Sequence, residues 1–93
     1  MTRLVVPENV GVYVADGIVY VAPLPDGPIA VLGGIAAFIW TEALEVSREQ
    51  VAATIAAVTS ERVEDLEPEV AKFIDDLLAR GLLSIATAED EPG

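Results

Sequence analysis

A glycine pair, Gly33-Gly34, divides the chain into two blocks with opposite backbone preferences. Residues 1–33 hold eight of the thirteen Val but only three of the fourteen Ala, and residues 34–93 hold the other eleven Ala. β-Branched side chains fit the pleated surface of a strand, whereas Ala is the best helix former. The first third therefore reads as a small sheet and the rest as helices. Two segregated blocks within 93 residues mean an α+β fold and not alternating α/β. A chain of this length makes about one domain, and 53% apolar residues can supply its core.

In the first block Val10, Val12 and Val14 alternate with Gly11, Tyr13 and Ala15, the period of a strand. Asp16-Gly17 follows, a strong hairpin signal because both residues accept positive φ. Residues 18–22 form the return strand. Pro23, Pro25 and Pro28 cannot donate to a ladder, so the segment around Asp26-Gly27 is a second reversal, and residues 29–32 make the third strand. The result is a three-stranded antiparallel meander at the N-terminus.

Beyond the glycine pair the spacing predicts a first helix over 35–44, with Ile35, Phe38, Ile39 and Trp40 facing inward. Ser47 and Gln50 have capping-box spacing, opening a second helix over 48–58 that buries Val51, Ile55 and Val58. A polar link, residues 59–65, leads to a third helix with Pro68 near its first turn. Leu66, Val70, Phe73, Ile74, Leu77 and Leu78 repeat at helical spacing up to Gly81, a C-cap residue. Residues 82–86 are short and apolar. Residues 1–87 thus form a single domain and 88–93 an acidic tail expected to be disordered. The arrangement is winged-helix-like, with three helices packed on the sheet, and no internal repeat interrupts it.

Sixteen acidic against five basic residues give a formal charge of −11. Binding to phosphate backbones needs Lys and Arg, and the third helix offers only Lys72 and Arg80 amid Glu67, Glu69, Asp75 and Asp76. Nucleic acid and anionic membranes are therefore excluded as partners. The chain has neither Cys nor His, which removes thiolate nucleophiles, Cys/His metal sites and Ser-His-Asp chemistry. The acids of residues 61–69 lack the alternate-position spacing of a calcium loop and read as a solvated face. An acyl-carrier reading also fails, because Glu64-Asp65-Leu66 has no Ser to carry the prosthetic arm. The longest apolar run, Pro28 to Trp40, is 13 residues, below the roughly 20 that span a bilayer. No signal-peptide pattern opens the chain, so a cytoplasmic, non-enzymatic protein without metal or cofactor is expected.

Three features in fixed order carry a resemblance. They are the three strands ahead of three helices, the run Ile29-Ala30-Val31-Leu32 leading into Ala36-Ala37-Phe38-Ile39-Trp40, and the ending Phe73-Ile74-Asp75-Asp76-Leu77-Leu78-Ala79-Arg80-Gly81-Leu82-Leu83. Over about residues 10–85 the chain resembles the PqqD-like family, the precursor-peptide recognition elements of ribosomal peptide biosynthesis. The resemblance implies a non-catalytic binding protein that captures the leader segment of a precursor peptide. It would present that leader to a modifying enzyme such as a radical SAM enzyme, a protease or a cyclase.

Carried onto this chain, the family's mode of binding places the leader as an added strand along Ile29, Ala30, Val31 and Leu32. Val70, Phe73, Ile74 and Leu77 of the third helix would line the apolar wall. The physics is compatible: an uncovered sheet edge is a template for another strand, and alternate side chains of that strand enter pockets. The apolar stripe of the third helix spans about 140°, against roughly 100° for a minimal core stripe. The same residues at the same spacing equally describe plain core. A rival reading is a structural or interaction module, a homodimer that pairs this edge with itself and takes no peptide; the peptide-binding reading expects a monomer or weak dimer.

Overall fold

The structure, a computed structural model, describes residues 1–86. The acidic tail expected over 88–93 lies outside the described residues. The chain runs β1 (Leu4–Val5), β2 (Val10–Ala15), β3 (Ile18–Pro23), β4 (Ala30–Leu32), α1 (Ile35–Glu45), a 3-10 turn (Arg48–Gln50), α2 (Val51–Thr59), α3 (Val63–Ala79) and β5 (Ser84–Ile85). Strands β2, β3 and β4 form an antiparallel meander in that order, and β1 pairs with β5 in a second, two-stranded sheet. This is the expected α+β fold.

The β2–β3 hairpin closes at Asp16 (φ 53°) and Gly17 (φ 78°), positive at both central positions as a type I′ turn requires. Entry into α1 uses Gly34 at φ 58°, ψ −128°, a conformation that a Cβ would oppose. At the far end of α3, Gly81 adopts φ 74° and its N–H donates to the Leu78 carbonyl (3.1 Å). The Leu82 N–H donates to the Leu77 carbonyl (2.9 Å), completing a Schellman motif. Leu77 and Leu82 are both buried, the apolar contact that accompanies this cap.

The core is built from Val19, Val21, Ala30 and Leu32 of the sheet, Ile39 and Trp40 of α1, Val51 and Ile55 of α2, and Leu66, Val70, Ile74 and Leu77 of α3. Leu82 and Leu83 close it below. The N-terminal segment straps across the α1–α2 junction. The Arg48 N–H donates to the Thr2 carbonyl (2.7 Å), and the Thr2 N–H donates to Glu49 Oε1 (2.9 Å).

Several local expectations are corrected. Ser47 does not cap through its side chain: it is buried, its Oγ has no hydrogen-bond partner, and the turn closes instead through the Gln50 N–H to the Ser47 carbonyl (2.9 Å). The regular part of α2 accordingly begins at Val51, and Val58 near its end is 67% exposed. Ile35 stands half out of the core at the start of α1. Helix α3 begins at Val63, ahead of the expected polar link's end, which puts Pro68 in its second turn. The proline's missing donor leaves the Glu64 carbonyl without its helical partner, at an exposed residue where water can serve it.

Candidate functional site

Strand β4 is an edge of the three-stranded sheet, paired with β3 on one side only. The parity of the ladder decides which of its backbone groups are free. The type I′ turn makes Ala15 and Ile18 a hydrogen-bonded pair, so Tyr13–Tyr20 and Gly11–Ala22 are bonded pairs as well. The Leu24 N–H donating to the Asn9 carbonyl (2.6 Å) continues the same alternation. Tyr20 therefore spends its backbone groups on β2, while Val19 and Val21 turn theirs toward Leu32 and Ala30 of β4. Val31, level with Tyr20, is left with its N–H and C=O directed away from the sheet.

Side chains alternate to match. Ala30 and Leu32 are buried in the core, whereas Val31 is 61% exposed on the outer face. Ile29, expected to open the strand, stands one residue ahead of β4 and is 67% exposed. A hollow of about 270 Å³ lined by Pro23, Pro28, Arg80 and Leu82 shows that the loop leading into β4 adjoins the C-terminal end of α3.

The four residues singled out on α3 divide three to one. Val70, Ile74 and Leu77 are core residues, with Ile74 and Leu77 fully buried, so they support the wall from behind and offer no surface of their own. The buried stripe is centred between Leu77 and Val70, which leaves Phe73 and Leu78 as its two flanks, each half-buried against the core. Phe73 shares a shallow hollow of about 350 Å³ with Glu69, Lys72 and Asp76. Of the residues singled out, Val31 thus has its backbone groups free along the β4 edge, and Phe73 is the aromatic flank of α3, ringed by charge.

Sequence reasoning passed over the outer face of the sheet. Tyr13 lies opposite Tyr20, with ring centroids 6.0 Å apart and planes at 41°. Leu24 and Ile29 join Tyr13 and Tyr20 around a hollow of about 280 Å³ floored by Gly11 and Ala22. The signal was present: a two-residue turn at Asp16-Gly17 fixes the register that puts the two tyrosines side by side.

Among the described residues, no group of three or more acidic side chains is placed to hold a metal, and no helix is long and apolar enough to cross a membrane. Glu49 is held below the ordinary carboxylate value of 4.5, at about 2, mainly by the Thr2 backbone N–H.

Residues 20–83 match the family model described as coenzyme PQQ synthesis protein D (PqqD). No curated protein matches the chain. A solved structure, TbiB1 in complex with the TbiA(beta) leader peptide, superposes with a TM-score of 0.77 at 22% sequence identity, covering 85% of this chain and 93% of that one.

Proposed function

Because the chain belongs to the PqqD family, we propose that it is a non-catalytic peptide-binding protein that captures the leader of a ribosomally made precursor by strand addition and presents it to a modifying enzyme. The free edge of β4 carries the reading. It offers an unpaired N–H and C=O at Val31, and the loop feeding it adjoins the end of α3. A similar fold is solved holding a leader peptide, which supports the same occupant here. In this reading the leader's main chain extends the ladder at Val31, and the side chains that alternate inward pack toward Phe73. The surrounding acids, thirteen of them in residues 42–93, speed the capture of a leader that carries Lys or Arg.

The test uses synthetic peptides tiled across the short reading frames that flank the gene. Amide shift mapping should place the perturbations at residues 29–33 and along the Phe73 flank of α3. A cluster on residues 51–58 would refute the site. An obligate dimer that binds none of the peptides would favour the homodimer reading. Presentation is tested separately, by whether the protein raises the turnover of the adjacent modifying enzyme on the full precursor.

A further inference from the structure

The outer face of the sheet carries a row of side chains that ends at the free edge. Tyr13 pairs with Tyr20, and Tyr20 pairs with Val31. Tyr13 is 68% exposed and Val31 61%, with Ile29 (67%) and Leu24 (56%) beside them. Only one Arg and three acids lie in residues 1–41, so this apolar face carries little charge. A strand whose outer face met only water would show polar residues here.

We infer that the added peptide strand is read on both faces, its outward side chain level with Val31 completing the Tyr13–Tyr20–Val31 row. This rests on the peptide-capture reading above and deepens it. The geometry follows from the ladder. Val31 turns both backbone groups toward the incoming strand, and side chains at the same level share a face whether that strand runs parallel or antiparallel. Neighbouring strands lie about 4.8 Å apart, within side-chain contact. The residue level with Val31 therefore lands beside an exposed Val, with Tyr20 behind it and Ile29 diagonally adjacent. Its two neighbours in the peptide point to the other face, the one on which Ala30 and Leu32 are buried. The ligand class is a segment with three consecutive apolar residues, the central one β-branched or aromatic. A strand bound by its inner face alone would show apolar residues only at alternate positions.

The experiment is selection of a displayed library of random ten-residue peptides on the whole protein, in wild-type form and as Val31→Glu. Val31 is exposed, so the substitution leaves the core intact, and a thermal melt confirms it. The wild type should enrich peptides with apolar residues at three successive positions. Val31→Glu should keep the two flanking preferences and shift the central one to Lys or Arg. The best wild-type peptide, synthesised and titrated, should bind the variant about fivefold more weakly. Enriched peptides with apolar residues only at alternate positions, or a central position that Val31→Glu does not change, would overturn the two-face inference while leaving peptide capture standing. Failure to enrich any peptide on either protein would overturn both.

Discussion

Arg48, in the turn before α2, reaches across to α3 and pairs with Asp75, its Nη2 lying 2.5 Å from Oδ1. The same Nη2 donates to the Ala71 carbonyl at 3.5 Å. The Arg48 side chain is three-quarters buried while Asp75 remains largely exposed. Arg48→Ala should therefore cost about 1 kcal/mol, more through lost packing and the backbone contact than through the exposed ion pair. Urea denaturation should show a lower midpoint for Arg48→Ala and a smaller change for Asp75→Asn. An equal loss in both would return the effect to charge alone.

Glu49 binds the Thr2 amide and titrates at about 2 instead of 4.5. A carboxylate whose folded value is depressed contributes stability above its unfolded value, and that contribution disappears as pH falls through the folded one. The Thr2–Glu49 bond should be fully formed above about pH 4.5 and lost toward pH 2, while the Thr2 carbonyl still accepts from the Arg48 N–H. The side-chain carboxyl carbon of Glu49, followed by NMR, should inflect well below the ordinary carboxylate value of 4.5. The Thr2 amide resonance should move with it.

Ile74 and Phe73 are adjacent in sequence and separable by substitution. Ile74 is fully buried, so Ile74→Asp should cost at least about 3 kcal/mol and abolish cooperative unfolding. Phe73 is half-buried, and Phe73→Ala should cost about 1–2 kcal/mol and leave a folded protein. On the peptide-capture reading, peptide affinity should fall about tenfold in Phe73→Ala. Circular dichroism melts beside a fluorescence titration distinguish the two losses. Unchanged affinity would remove Phe73 from the wall.

Val31→Pro removes an N–H that β3 does not use. Proline is tolerated on an edge strand when its missing donor faces outward. The substitution should lower stability by less than about 1 kcal/mol while peptide binding is lost, measured by thermal melt and titration on the same sample. Ala30→Pro is the internal contrast, since Ala30 bonds to Val21 and its loss should open the sheet.

The hairpin, the meander and the three helices were legible because each is announced locally. Asp16-Gly17 sets a turn, Val10 to Val14 alternate, and Leu66 to Leu78 repeat at helical spacing. What escaped depends on distant partners. The two-residue strands Leu4–Val5 and Ser84–Ile85 are too short to show a period, and each exists only because the other is there. Ser47 has the right spacing for a cap, but its side chain is buried with Oγ unpartnered and reaches none of the helix donors. At the site, the strand read over residues 29–32 is β4, Ala30–Leu32, with Ile29 one residue ahead of it, and helical spacing gives the stripe of α3. Spacing alone could not tell the centre of that stripe from its flanks. Ile74 and Phe73 differ by one step around the helix, and only the direction from which α1 and α2 approach makes the first fully buried and leaves the second half-buried.

The pairing of β1 with β5 joins Leu4 to Ile85, so its formation must close nearly the whole described chain into a loop. Two residue pairs repay little of that entropy, and the ladder has no reason to form before the helices have docked. It should be the last contact made in folding and the first to open in the native state. Native-state hydrogen exchange would register this as a separate, low-energy opening at Ala86, whose N–H donates to the Arg3 carbonyl (2.8 Å). The amides of Val19 and Val21 would exchange only through global unfolding. The molecule would then have a seam where β1 and β5 part while the β2–β3–β4 sheet stays closed.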